Sequence, residues 1–442
     1  MDFKKLIQKA MTKGLSAVEI CNTISEETII SLFKGEVDKA EIKNNNVYSV
    51  RGIYQSKMSY VTFENEEEDS DYVIQKLIEN AQALTTDEEF EIFAGSKEYP
   101  EWEKADGGFT KASMADKIKL IKDVEYIASN MDKRIVFLPY CRYNEEKVSR
   151  RIINSYGLDI AKDYHYGVLI LQVIAKEEQD TQSAFEIDVS LNYATLDPQK
   201  VAKKAVEKAL SKLNASPVES KTYPIIIENE TMCDLLQGFS SMFSGEAAIK
   251  KLTSLIGKEG EKIMDDSISI IDDPFLKDAI NRQPFDDEGV VCYKKKVVEN
   301  GVFKTMLHNL KTAKYFKTTS TGNGFKAGTA GAISVAGVNL YVAPGNVSKE
   351  AMIANTEEGL LITDMAGLHA GLNPISGDFS AQSSGYLIKD GKIVRPINLV
   401  VVSGNFLNMM SQVEALGSDL YVSYNGIGAP SIQFKGLPVS GK

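Results

Sequence analysis

The chain has 442 residues, more than one hydrophobic core usually supports, so two domains are expected. Hydrophobic residues make up 43% and charged residues 25%, which excludes long disordered stretches. The 50 Lys and Arg against 61 Asp and Glu give a formal net charge of -11, which would repel a phosphate backbone and argues against a nucleic-acid partner.

Residues 1–20 scatter Lys4, Lys5, Lys9 and Lys13 among single apolar residues, unlike the unbroken apolar stretch of a signal peptide. No apolar run approaches the roughly 18 residues of a membrane span, so no membrane partner is expected. Cys21, Cys141, Cys233 and Cys292 are far apart, without CxxC or Cys/His spacing, and read as buried free thiols of a cytoplasmic protein.

In chain order, Phe3 to Lys13 reads as an amphipathic helix. Alternating runs at Ala17–Ile24, Thr28–Lys34, Val47–Tyr54 and Met58–Phe63 predict an antiparallel meander. An acidic run, Glu64 to Asp71, leads into a helix over Tyr72–Leu84, with Val73, Ile74, Leu77, Ile78 and Ala81 at helical spacing. After a polar, turn-rich stretch from Glu98 to Thr110 comes a helix over Ala112–Asn130. Strands follow at Val136–Tyr143, Val148–Asn154 and Gly167–Lys176, then a helix over Pro198–Leu213. The fold class is α+β: an N-terminal domain over 1–218 with an antiparallel sheet and helices, its boundary near Pro217 and Pro224. The C-terminal domain, 219–442, begins with a strand at Tyr223–Ile227 and two helices, Thr231–Phe243 and Ala247–Ile256. After Glu259 it becomes Gly-rich, with short apolar runs such as Leu360–Thr363 and Ile397–Val402, and predicts a folded-over sheet or barrel.

The three histidines, His165, His308 and His369, belong to no HExxH or HExxxH, the spacing that turns two imidazoles of one helix toward a zinc ion. His165, between Tyr164 and Tyr166, reads as a surface or cross-strand residue. There is no GxSxG elbow, phosphate-binding loop or dinucleotide fingerprint. The glycines of Gly322–Gly328 follow a polar run rather than a strand, and predict a flexible surface loop. Asp286, Asp287 and Glu288 lack calcium-loop spacing and predict a turn with solvated charges.

Several strings in the C-terminal half carry a resemblance. They are Gln283–Gly289 (QPFDDEG), Glu299–Lys304 (ENGVFK), the loop Lys317–Gly324, Gly367–Ser380 (GLHAGLNPISGDFS) and Ser384–Ile393 (SGYLIKDGKI), followed by Ser403–Asn405 and Gly417–Leu420. In this order they resemble the TldD/PmbA family, also known as modulators of DNA gyrase, with its G-x-N-x-x-(S/T)-G-D-(Y/F)-S and G-(F/Y)-x-I-x-(D/N)-G-x-I patterns. The N-terminal half agrees mainly in its order of helices and strands. TldD-like members carry HExxxH on a helix and a zinc-binding cysteine near the C-terminus. Here the region Phe239–Ile249 reads FSSMFSGEAAI, and the tail after Leu420 has no cysteine. Ser244–Lys251, Leu255 and Gly257 instead look like the TldE (PmbA-type) version.

The resemblance implies a subunit without zinc or a catalytic residue of its own, completing a metalloprotease that degrades or processes small or unfolded peptides. Its partner would be a TldD-like catalytic subunit holding the zinc, with a homodimer as an alternative when the chain is alone. Glu246 cannot polarise a carbonyl or activate water without the metal, and reads as a helix-terminal residue. The candidate peptide or partner cleft comprises Ser244, Gly245, Glu246, His369, Gly371, Asn373, Gly377, Asp378, Ser380 and Gly385, although these Gly and Ser residues suit plain turns equally well. Two other readings stay open: a regulator that binds another protein, and a stand-alone metal-dependent hydrolase built on His308, His369 and the Asp286–Glu288 carboxylates.

Overall fold

The computed structural model describes residues 2–64, 69–85, 91–102, 106–277, 279–328 and 332–442; residues 65–68 of the acidic run and 103–105 of the polar stretch lie outside the described residues.

The N-terminal half contains α1 (Phe3–Thr12), β1 (Ala17–Phe33), β2 (Glu36–Tyr54), β3 (Lys57–Phe63), α2 (Ser70–Ala83), α3 (Met114–Met131), β4 (Ile135–Asn154), β5 (Asp159–Glu177), β6 (Asp180–Ser190) and α4 (Pro198–Ser211). The helices start where side chains can take up orphan backbone N–H groups. Asp2 caps α1, Ser113 and Asp116 form a capping box on α3, and Asp197 precedes Pro198 at the start of α4. One antiparallel sheet runs in the order β3-β2-β1-β4-β5-β6. Helices α1 and α2 bury Leu6, Ile7, Val73, Ile74 and Leu77 against one end, and α3 and α4 bury Ile121, Val124, Val201 and Val206 against the other.

The strands are longer than their hydrophobic runs predict. Ala17–Ile24 and all of Thr28–Lys34 but its last residue belong to one 17-residue strand, and Val136–Tyr143 and Val148–Asn154 to one of 20 residues. The polar residues between those runs do not break the ladder, because Asn144–Glu146 pair with Glu27–Ile29 on one side and Tyr166–Val168 on the other. Strand β6 lies outside the expected set, as does the first half of β2, whose residues are exposed and show no apolar alternation.

The C-terminal half contains β7 (Lys221–Ile227), α5 (Asn229–Phe239), α6 (Gly245–Ile249), β8 (Ile270–Asp272), β9 (Lys295–Glu299), β10 (Val302–Phe303), α7 (Leu310–Phe316), β11 (Gly324–Lys326), β12 (Ile333–Val335), β13 (Leu340–Val342), α8 (Lys349–Ala354), β14 (Glu358–Ala366), α9 (Leu368–Gly371), β15 (Asp378–Lys389), β16 (Lys392–Asn405), α10 (Phe406–Met410), β17 (Val413–Leu416), β18 (Tyr421–Val422), β19 (Ile427–Ala429) and β20 (Ile432–Ser440). Strands β16-β15-β14-β7-β20 are neighbours in that order. Pairing of Val401 with Ser440 and Val402 with Val439 closes them into a five-stranded barrel. A second sheet, β10-β9-β8-β13-β19-β18, packs against the same core. Helix α5 drives Leu235, Leu236 and Phe239 into that core, where the Phe239 ring stacks on Phe406 at 4.6 Å.

The second leading helix is shorter than expected. Helix α6 ends at Ile249, because Lys251 adopts a φ of 57° and Thr253 bonds Met242 O through its hydroxyl, turning the chain before Leu255. Among the described residues no helix is long and apolar enough to cross a membrane.

Candidate functional site

The face of α5 opposite its apolar stripe carries Asp234, Gln237 and Gly238, at i, i+3 and i+4. With Leu368, His369, Leu372 and Pro374 they line a cavity of about 390 Å³. Leu372 packs directly on Gly238, where a Cβ would stand 2.1 Å from Leu372 Cδ1 and would push that side-chain tip aside. The Asp234 carboxyl is pushed up to about 6 by burial, with Asp364 and Glu230 adding repulsion and Lys208 opposing. Among the described lining residues it is the one carboxyl of the cavity wall.

His369 is the one residue of the sequence-predicted cleft that lines this cavity. The loop after it folds on itself. Leu372 bridges to Phe379, and the Asn373 side chain accepts from the N–H groups of Ile375 and Ser376 at 3.0 and 3.3 Å. Gly377 has a φ of 85°. Asp378 accepts from Asn405 Nδ2 at 2.9 Å and Ser376 Oγ at 2.7 Å, which hold its carboxyl below the usual range. A Cβ on Gly371 would meet Ser380 O at 2.3 Å. Gly371, Asn373, Gly377, Asp378 and Ser380 thus build a tight turn that carries His369 and Leu372.

Gly385 faces elsewhere. It lines a separate cavity of about 360 Å³ with Lys212, Asp364 and Gln382, between the barrel and the N-terminal half. Ser244, Gly245 and Glu246 are in a third place. Ser244 caps α6, Gly245 N–H donates to Leu307 O at 2.9 Å, and Glu246 pairs with Lys250 at 2.7 Å on the surface. Gly245 lies flush against the buried His308 ring, whose Nδ1 is 3.1 Å from Thr312 Oγ1 and whose pKa burial lowers.

The solvated-turn expectation for Asp286, Asp287 and Glu288 is overturned: all three are buried, at 0%, 1% and 5% exposure. Asp286 accepts from the N–H groups of Glu288, Val290 and Gly324, and Asp287 from Arg150 Nη1 and Lys326 N. Glu288 accepts from Leu310 N at 2.8 Å and lies 3.8 Å from Arg51 Nη1. The flexible-loop expectation for Gly322–Gly328 fails for the same reason. Asn323 is fully buried, bonded to Asp272, and Gly324 and Lys326 are held by the two aspartates. His165 is cross-strand but not on the surface; it is buried with Nε2 2.9 Å from Glu145 Oε1.

A catalytic zinc ion needs about three protein ligands. The α5 cavity offers one imidazole, the Gln237 amide and one carboxyl. Cys233 on α5 is buried, with Sγ toward Tyr421 O at 3.5 Å and a thiol pushed up to about 12. These residues do not fit the metal. Nor are His308, His369 and the Asp286–Glu288 carboxylates brought together, and among the described residues no group of three or more His, Cys, Asp or Glu could hold an ion.

The description "PmbA/TldA metallopeptidase central domain" matches residues 108–213, and "PmbA/TldA metallopeptidase C-terminal domain" matches 220–441. The chain belongs to the PmbA/TldD family. It is 30% identical over 319 residues to the metalloprotease PmbA homolog of Buchnera aphidicola, covering 72% of this chain and 68% of that protein. Its fold superposes with a TM-score of 0.91 on a Thermotoga maritima protein described as a candidate modulator of a DNA gyrase, at 31% identity and 99% coverage of both chains. It also superposes on TldE from Thermococcus kodakarensis with a TM-score of 0.91 and 99% coverage of both chains, at 24% identity.

Sequence reasoning missed Asp234, Gln237 and Gly238. The signal was present, since they share the face of a helix whose apolar stripe is plain.

Proposed function

We propose that the chain is the non-catalytic, TldE-like subunit of a zinc metalloprotease, joined to a TldD-like subunit that holds the zinc, and that the pair degrades or processes small or unfolded peptides in the cytoplasm. The observation that carries the reading is the donor set of the α5 cavity in a member of the PmbA/TldD family: one histidine, one carboxyl and an amide, without the second histidine or the cysteine of a zinc site. Leu368, Leu372 and Pro374 give the cavity an apolar wall suited to peptide side chains. Four buried free thiols fit a reducing compartment.

The test is metal content and hydrolysis of an unstructured peptide, for this chain alone, for a TldD-like protein from the same organism, and for the two mixed. The reading expects no stoichiometric zinc and no cleavage from this chain, a heterodimer on mixing, and cleavage by the mixture above that of the partner alone. Stoichiometric zinc with cleavage by the isolated chain would overturn it.

A further inference from the structure

A third cavity, of about 340 Å³, lies between the two halves and is lined by Trp102, His165 and Leu191 on one side and Phe275, Ile280 and Arg282 on the other, with Glu101 and Asp163 also in its wall. Its size is at the small end of ligand pockets, about 300–1,000 Å³.

Trp102 is the chain's single tryptophan, and its indole Nε1 donates to Asp163 O at 2.7 Å, which fixes the ring. The Arg282 guanidinium sits over that ring at 5.6 Å. Stacking on an aromatic face holds a guanidinium flat and leaves its in-plane N–H edge open to a carboxylate. Neither Arg282 nor Glu101 has an ion-pair partner among the described residues, although the surface elsewhere pairs charges freely. His165, nine-tenths buried in the wall, has Nδ1 without a hydrogen bond among the described residues, its nearest carboxylate being Asp106 Oδ1 at 3.3 Å. A buried ring nitrogen in a cavity wall that lacks a well-made hydrogen bond can take one from a bound molecule.

We infer that this cavity binds a small zwitterion with an apolar body, a free amino acid or dipeptide, its carboxylate on Arg282 and its ammonium at Glu101. A cation and a carboxylate of the wall, neither in an ion pair among the described residues, suit a molecule that carries both charges. Phe275, Ile280 and Leu191 supply the apolar surface that a leucine-like side chain would cover. The inference stands apart from the α5 cavity and from the subunit reading.

Trp102 is a built-in reporter. The full chain is titrated with leucyl-leucine while tryptophan fluorescence is followed, with saturation-transfer NMR on the dipeptide as a second readout. Saturable binding is expected. Arg282→Gln should weaken it about tenfold or more, the loss of a charge-assisted pair. The C-terminally amidated dipeptide should lose a similar factor on the native chain, and the N-acetylated one should lose affinity too. Arg282 is exposed, so its variant keeps the fold, which circular dichroism checks. Absence of a saturable signal in both readouts overturns the inference. So does binding that neither Arg282→Gln nor amidation weakens.

Discussion

Arg150 Nη1 donates to Asp287 Oδ1 at 2.5 Å, tying β4 of the N-terminal half to the turn that precedes β9 in the C-terminal half. Lys162 on β5 reinforces the junction, donating to Gln283 Oε1 at 2.6 Å and Phe285 O at 2.8 Å. The family-like string Gln283–Gly289 therefore joins the halves. Removing one partner of a buried pair strands the other charge. Arg150→Met should cost about 3 kcal/mol, near the lower end for such pairs because Lys162 remains 3.7 Å from Asp287. Adding Asp287→Asn should recover part of that loss in denaturant unfolding; equal stability of the native chain and Arg150→Met would show that the pair does not hold the junction.

The same junction should make stability depend on pH. Burial pushes the Glu288 carboxyl up from its ordinary 4.5 to about 7, with Arg51 and the Leu310 N–H opposing, and burial together with the Glu288 charge raises Asp286 as well. A carboxyl raised in this way holds a proton in the folded state that the unfolded chain has released. Its contribution is complete below the unfolded value and is lost as pH rises through the folded one. Melting temperatures taken from about pH 5 to pH 8 should fall more steeply for the native chain than for Glu288→Gln, which keeps the acceptor for Leu310 but cannot ionise. Parallel curves would remove Glu288 from the account.

How far the sequence discloses this molecule depends on what each residue's signal reports. Helix α1, expected at Phe3–Lys13 and found at Phe3–Thr12, and α4, expected from Pro198 and found there, are legible because capping and apolar spacing are local. The barrel is legible as a class from its apolar runs and glycines. The first half of β2 is not, since an exposed strand carries no alternation and is held by β1 alone. The charged triplet Asp286–Glu288 misleads for a related reason. Its burial depends on Arg51, Arg150 and Lys162, more than a hundred residues earlier, and no local pattern announces them. The site divides in the same way. His369 stands out as a rare residue in a patterned loop, whereas Gln237 and Gly238 matter only because Leu372 lies across them.

Gly385 gives a sharp test of whether the family-like glycines bind or build. A Cβ there would stand 1.9 Å from Leu361 O, in the strand paired with it. Backbone cannot yield as a side chain tip can, so Gly385→Ala should destabilise the barrel by about 1–3 kcal/mol, as overpacking does. Thermal unfolding measures this. An unchanged melting temperature with altered peptide processing would instead assign Gly385 to binding.

The Ser244–Glu246 segment invites the same question, and a double-mutant cycle answers it. A Cβ on Gly245 would be 2.5 Å from His308 Nδ1 and 3.1 Å from Leu307 O, so most of the conflict is with the imidazole. Gly245→Ala in the native background should cost about 1–3 kcal/mol. His308→Ala alone leaves a cavity and removes one of the partners of Thr312 Oγ1, so it too should destabilise. In the His308→Ala background the added methyl has room, and alanine is a better first residue for α6 than glycine, so Gly245→Ala should then cost little. The expected coupling is about 1–3 kcal/mol in equilibrium unfolding, the range for residues in contact. Additive effects would mean that Gly245 is small for another reason, and contact with a partner subunit would become the leading one.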